Sequence, residues 1–372
     1  MNKKEVLEIR KQFTPDRCAI TRICGCYVDH EKEKKAELKK AFLSLPEEEA
    51  FKYFDILKHT LSGTVGKNLL NLDFPLDAEL VGGTQEFLLK LRDSKLTDDL
   101  LLEEFYDKVI ENYNHAENYY IILIHAAYDV PGKSSDGEEL FDASDTVYEH
   151  ILCSICPVNL TKAGLTYNAE TNSIEDRIRD WLVEAPLNGF LFPAFNDRAS
   201  DIHSVLYYSK KAEEIQPDFI DNVLGGKMPL TAGGQKNSFQ AIICDTLGDN
   251  CDYETVRNIH DNICEMLEEA KESPDPVELS KPDVKRLLQR SGVSEEHLEN
   301  FDEDFEEIVG EQKTFLASNI VNTKTFQLET PDVIVKVNPE RSDLVEIREI
   351  DGRKCLVVPI DEHLEVNGIE VH

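Results

Sequence analysis

The sequence predicts an α+β fold, with N-terminal helices and a mostly antiparallel sheet, then an acidic helical region that ends in a β-hairpin. Three observations carry this prediction. Apolar residues keep helical spacing through much of the chain up to Asn112. Short runs rich in β-branched and aromatic residues then follow between Tyr119 and Ser209. After Pro217 the helical period returns, before alternating segments flank an Asp351-Gly352 turn.

Element by element, Lys3–Gln12 reads as a helix stopped at Thr14-Pro15, and Ile20–Val28 as a strand. The charged run from Glu31 to Leu43 predicts another helix. Ser44-Leu-Pro-Glu-Glu is a helix start, because Ser caps, Pro suits an early position and acids favour the positive helix end. Phe51, Phe54, Leu57 and Leu61 continue it at helical spacing until Gly63. Helices are predicted over Thr84–Asp93 and Thr97–Asn112. Strands are predicted over Tyr119–His125, Thr146–Ile155, Gly189–Phe195 and Ile202–Ser209, interrupted by a helix at Asp176–Glu184 with Ile178 and Trp181 on its apolar side. Helices return over Pro217–Leu224, Ala232–Leu247, Tyr253–Lys271, Pro282–Arg290 and Glu295–Val309, and strands over Val333–Val337, Leu344–Ile350 and Arg353–Ile360. The division falls into a mixed α+β domain over 1–216 and an acidic helical region with C-terminal strands over 217–372.

A length of 372 residues suits two or three domains. Lys+Arg 40 against Asp+Glu 73 gives a net charge of −33, which excludes a uniformly basic DNA coat and opposes adhesion to an anionic membrane. The longest apolar stretch, Tyr119–Tyr128, contains His125 and is shorter than the roughly 18 residues a bilayer span needs. No membrane association is therefore expected. The start lacks the layout of a secretory signal, and nine cysteines suit reduced thiols better than a disulfide scaffold, so a cytoplasmic location is expected. The charge is segregated. Residues 1–40 hold eleven Lys/Arg and seven Asp/Glu, a net of +4, whereas residues 241–312 hold twenty-one acids and six bases, a net of −15.

Several motifs invite chemistry. Cys153-Ser-Ile-Cys156 has the spacing of a zinc knuckle, but it lacks a second matching pair and lies in an apparent strand, where positions i and i+3 face opposite ways. The pair reads as buried free thiols, with a metal site or redox use as the sharper alternatives, and no cofactor is expected. Gly63-Thr-Val-Gly66-Lys67 departs from a phosphate loop at Leu61 and Asn68 and reads as a plain loop. Asn196, Asp197, Arg198 and His203 gather an acid, a base and a cation between two strands; a hairpin with Asx-type turn bonds explains the same residues. In the head, Lys3, Lys4, Arg10, Lys11, Arg17 and Arg22 interleave with Phe13 and Tyr27, a candidate nucleic-acid patch beside seven acids. Phe301, Phe305 and Ile308 mark an amphipathic helix with an acidic outer face, either solvated or docking a basic partner.

Longer stretches carry a resemblance. Met1–Pro15, Cys18–Val28, Leu152-Cys-Ser-Ile-Cys-Pro-Val, Phe190-Leu-Phe-Pro-Ala-Phe-Asn-Asp-Arg and Val337-Asn-Pro-Glu-Arg-Ser-Asp-Leu-Val are similar to a family of uncharacterised Gram-positive bacterial proteins, a domain of unknown function. That resemblance implies ancestry and no chemistry. The order of Val205-Leu-Tyr-Tyr, Phe219-Ile-Asp-Asn-Val-Leu-Gly225, the later helices and Val333-Ile-Val-Lys-Val also resembles bacterial nucleoid-associated proteins, which implies DNA binding. The inserted Cys-x-x-Cys strand and the acidity depart from that pattern. The leading expectation is a non-enzymatic cytoplasmic interaction protein whose partner is duplex DNA or a basic protein. The alternatives are an enzyme of unrecognised family with a site near Asn196–His203, or an acidic adaptor.

Overall fold

The computed structural model describes residues 1–133, 139–309, 314–360, 363–366 and 368–371. The chain divides into two compact units, Met1–Thr231 and Ala232–His372. In chain order the first unit contains α1 (Lys3–Arg10), β1 (Ile20–Val28), β2 (Lys34–Ala41), α2 (Glu47–Thr60), β3 (Leu69–Asp73), α3 (Thr84–Asp93) and α4 (Asp99–Asn112). Next come β4 (Tyr119–Lys133), β5 (Glu139–Leu160), β6 (Leu165–Asn168), β7 (Ser173–Asp176), β8 (Trp181–Val183) and β9 (Asn188–Phe192). It closes with β10 (Ala194–Asn196), β11 (Ala199–Asp201), β12 (Ser204–Ser209) and α5 (Pro217–Phe219), which runs on as a π-turn over Ile220–Leu224.

The central sheet has the order β2-β1-β4-β5-β9-β12-β3, and neighbouring strands are antiparallel throughout. Successive side chains point to opposite faces, and here both faces are apolar. Ile121, Leu123, Ile151 and Cys153 face one core with Cys24 and Cys26. Ile122, Ile124 and Leu152 face the other with Ile23. Helices α3, α4 and α5 cover the first face through Leu88, Leu91, Phe105, Val109 and Phe219. Helices α1 and α2 cover the second through Val6, Ile9, Phe54 and Leu57. Burial on both faces explains why β4 reads as an almost unbroken apolar run.

The α+β class is borne out, and two predicted helices are corrected. The Glu31–Leu43 run is an edge strand, β2, paired with β1 from Arg22↔Ala41 to Val28↔Lys34. Its turn is anchored by Asp29 Oδ1, which accepts from the backbone of Glu31 at 3.0 Å and Glu33 at 2.9 Å, with Lys32 left-handed at φ 62°. Pairing to an already buried strand overrides the helix propensity of Lys and Glu, and the lysines guard the open edge. The Asp176–Glu184 helix is likewise absent. That segment returns along β5 and β6 in extended form, and Ile178 and Trp181 are exposed.

Strand–strand contact at the centre is close enough to fix residue types. A Cβ at Gly189 would stand 2.3 Å from the Cys153 carbonyl oxygen and 2.6 Å from Thr60 Cγ2. Beside it, the Thr60 and Ser154 hydroxyls share a buried hydrogen bond of 2.6 Å.

In the second unit, α6 (Ala232–Leu247), α7 (Tyr253–Glu269), β13 (Glu278–Ser280), α8 (Lys281–Arg290), α9 (Phe301–Val309), β14 (Thr314–Leu316) and α10 (Ala317–Ile320) surround a core of Phe239, Ile263, Leu288, Phe301, Phe305 and Phe315. Helix α9 buries Phe301 and Phe305, while Asp302 and Glu306 on its outer side pair with Lys285 and Lys281, each at 2.7 Å. Three successive hairpins follow: β15–β16 (Phe326–Glu329, Ile334–Val337), β17–β18 (Glu346–Ile350, Arg353–Val357) and β19–β20 (Leu364–Val366, Ile369–Val371). Asp351 and Gly352 join the middle pair with positive φ at both positions, the geometry of a type I′ turn.

Two stability outcomes are expected. His150 is fully buried, stacked on Tyr148 with ring centroids 4.4 Å apart, and its Nε2 has no hydrogen-bond partner among the described residues. Burial lowers its pKa from the ordinary 6.5 to about 3. The unfolded chain therefore takes up this proton below about pH 6.5 while the folded chain does not, so stability falls with falling pH at roughly 1.4 kcal/mol per unit through this one group. In urea titrations between pH 7 and 4, His150→Phe should flatten that acid limb. By the same method, Gly189→Ala should cost about 2–4 kcal/mol, because backbone rather than a mobile side chain blocks the added methyl.

Candidate functional site

Helix α1 places the charged residues of the head. Asn2 caps it in a reciprocal box: Asn2 Oδ1 accepts from the backbone of Lys4 and Glu5, and the Asn2 N–H donates to Glu5 Oε2 at 2.7 Å. With Val6 and Ile9 buried on the sheet, Lys4, Leu7, Glu8 and Lys11 lie along the opposite stripe. The 3₁₀ turn Pro15–Arg17 that follows brings Arg17 beside Lys11.

Two connected grooves open on this stripe. The larger, about 870 Å³, runs between α1, the end of β4 and the β10–β11 hairpin, and its walls include Lys4, Glu8, Lys11, Arg17, Tyr128 and Arg198. The smaller, about 520 Å³, is lined among the described residues by Leu7, Arg10, Lys11, Thr14, Arg17 and Lys58, four cations without a carboxylate. They share Leu7, Lys11 and Arg17.

The hairpin is pinned to the helix. Asp197 and Arg198 both have left-handed backbones, at φ 51° and 57°, a conformation that favours glycine. Glu5 Oε1 accepts from the Asp197 N–H at 2.7 Å, and Arg198 forks onto Glu8, with Nη2 to Oε1 at 2.9 Å and Nε to each oxygen at 3.2 Å. The Tyr128 hydroxyl also donates to Glu8 Oε1 at 3.1 Å. Glu8 thus spends its charge on Arg198 rather than on Lys4 or Lys11.

The predicted polar loop separates. Asn196 donates to Asp201 Oδ2 at 2.6 Å, and Ser204 Oγ to the same oxygen at 2.8 Å. His203 lies outside the groove lining, exposed, and its Nδ1 meets Glu79 at 2.8 Å, an interaction that raises its pKa. Asp197 and Arg198 join the head groove, whereas His203 does not, so acid, cation and base do not converge. In the head, Lys4, Arg10, Lys11 and Arg17 line the two grooves, and Lys3 is exposed on the first turn of α1. Arg22 goes elsewhere, to the opposite face of the sheet beside Cys24 and near Asp99. Lys58 was missed because α2 carries no charge pattern that marks it; only the fold sets its last turn against α1.

The cysteines are set for packing. Cys153 belongs to the core under α3 and α4 and Cys156 to the core under α1 and α2, so a single ion cannot take both. Burial pushes both thiols up, as it does Cys18 in the larger groove, and protonated thiols are poor ligands and nucleophiles. Among the described residues, Asp29, Glu31 and Glu33 bring carboxylates within 4.8 Å of one another, but Asp29 already anchors the β1–β2 turn and pairs with Lys35 at 2.9 Å. No helix among the described residues is long and apolar enough to cross a membrane.

A family model described as a domain of unknown function, DUF4317, matches residues 1–369. The chain belongs to this family. The match spans both units of the DUF4317 chain, the α1 grooves included. No curated protein matches the chain.

The Arg198–Glu8 pair is half-buried and forked, so it contributes more than an exposed ion pair. Arg198→Ala should lower stability by about 1–2 kcal/mol in urea titration, and Glu8→Gln by a similar amount, because each releases the strained turn from α1.

Proposed function

We propose that this DUF4317 protein is a non-enzymatic cytoplasmic interaction protein that docks duplex DNA on the basic groove at the end of α1. The observation that carries this reading is the lining of that groove, in which, among the described residues, Arg10, Lys11, Arg17 and Lys58 surround Leu7 without a carboxylate. Phosphate contacts are local on a Debye length of about 8–10 Å, so a segregated patch can act within a chain of net charge −33. Arg198 supports it by occupying Glu8, which keeps that carboxylate from neutralising the neighbouring lysines. The acidic remainder opposes non-specific spreading along DNA. The sequence likeness to nucleoid-associated proteins points the same way, and the described cysteines are all free, as a reducing compartment requires.

Four phosphate contacts give an expected salt slope of about −3.6, roughly a hundredfold loss of affinity between about 50 and 200 mM salt. Fluorescence anisotropy of a labelled duplex, titrated with the full chain at both salt concentrations, reads this directly. The Arg10→Ala, Lys11→Ala, Arg17→Ala, Lys58→Ala variant should lose at least tenfold in affinity at low salt and most of the slope. A flat titration of the unaltered protein at both concentrations overturns the reading.

A further inference from the structure

The two grooves beside α1 share a wall but differ in charge. Among the described residues, none of the four cations of the smaller groove, Arg10, Lys11, Arg17 and Lys58, has an ion pair. Elsewhere the lysines of this acidic chain are answered: Lys34, Lys35, Lys39, Lys95, Lys281 and Lys285 each meet a carboxylate. Cations gathered in a concave site and left unpaired raise the local concentration of anions. The larger groove is balanced instead. Lys4, Lys11, Arg17 and Arg198 line it together with Glu5, Glu8, Asp129 and Asp197. Glu5 and Glu8 are committed to the Asp197 N–H and to Arg198. Asp129 is exposed on β4, and among the described residues its carboxylate has no partner. Volumes of about 870 and 520 Å³ are those of small-molecule sites. A ligand that fills both has to be anionic at one end and neutral but polar at the other. Duplex DNA has uniform charge along its axis, and the carboxylates of the larger groove repel it.

We propose that the joined grooves hold a nucleoside diphosphate, with its phosphates among Arg10, Arg17 and Lys58 and its ribose hydroxyls on Asp129. Guanidinium groups match phosphate oxygens in pairs, and the lysine adds a point charge. A carboxylate accepts well from ribose hydroxyls, as the acidic residue of dinucleotide sites does. This inference deepens the reading of the smaller groove as a phosphate site and rests on it. A bound diphosphate occupies the cations that dock DNA, so ligand and duplex exclude each other, and the ligand regulates the docking.

The test is isothermal titration calorimetry of the full chain in about 50 mM salt, with adenosine diphosphate, uridine diphosphate, inorganic pyrophosphate and adenosine as probes. The expected result is that a nucleoside diphosphate binds at least tenfold tighter than pyrophosphate, which lacks the neutral end, and than adenosine, which lacks the charged one. The Arg17→Ala, Lys58→Ala variant should weaken the nucleoside diphosphate more than tenfold. Asp129→Ala should bring it down to the affinity of pyrophosphate and leave pyrophosphate no weaker. Ala127→Leu, which fills the larger groove, gives the same result by a second route should Asp129→Ala disturb β4. Pyrophosphate binding as tightly as both nucleoside diphosphates overturns the proposal, because the site then reads charge alone. So does the absence of binding by either nucleoside diphosphate up to about 1 mM, or binding that these variants leave intact. Anisotropy of the labelled duplex separates this proposal from the reading it rests on. A duplex that binds while no nucleoside diphosphate does overturns the ligand alone; a nucleoside diphosphate that binds while the duplex does not overturns the DNA alone. Where both bind, saturating nucleoside diphosphate should raise the Kd of the duplex at least tenfold, and an unchanged Kd overturns the shared groove.

Discussion

The fold depends on one constraint: β4 and β5 are apolar on both faces, so the sheet must be covered twice. An antiparallel sheet with one wet face needs a single layer of helices. Here Ile121 and Leu123 demand one layer and Ile122 and Ile124 another. The chain meets this by sending α1 and α2 to one side and α3, α4 and α5 to the other. Everything at the candidate site follows from that division. Helix α1 lies where it does because Val6 and Ile9 have a sheet face to fill, and its polar stripe is thereby turned towards the β10–β11 hairpin.

Charge is handled by segregation rather than by balance. The basic residues of the head are not scattered over the first unit; Arg10, Lys11 and Arg17 meet Lys58 in one groove, while Arg22 is withdrawn to the other face of the sheet. In the second unit the acids of α9 are partly answered by Lys281 and Lys285 of α8. The lysines of β2 serve a third purpose. Lys34 pairs with Glu103 and Asp107 and Lys39 with Asp99, tying the edge strand to α4 while leaving its outer rim charged.

Much of the fold was legible because periodicity reports burial. The double-faced strands announced themselves as apolar runs, and Ala232–Leu247 and Thr84–Asp93 carried helical spacing that the structure reproduces residue for residue. The two misread helices share a physical cause. Glu31–Leu43 and Asp176–Glu184 are rich in charge and good helix formers, yet each is held in extended form by hydrogen bonds to the strand that precedes it in its own hairpin. Residue propensity does not report cross-strand pairing, even to an adjacent strand. The candidate site was half legible for the same reason. Lys11 and Arg17 stood out as a basic cluster and Asp197-Arg198 as a polar turn, but nothing in their spacing links residue 8 to residue 198, and nothing marks Lys58.

The turn at Asp197-Arg198 has an evolutionary consequence. Two successive left-handed residues would be most comfortable as Asn-Gly. Relaxing position 198 to glycine, however, would leave the Glu8 carboxylate without its guanidinium, next to the lysines of α1. Positions 8 and 198 are therefore free to drift only together. Among relatives, a neutral residue at the first should accompany glycine at the second, and an acid at the first should accompany a long cation at the second.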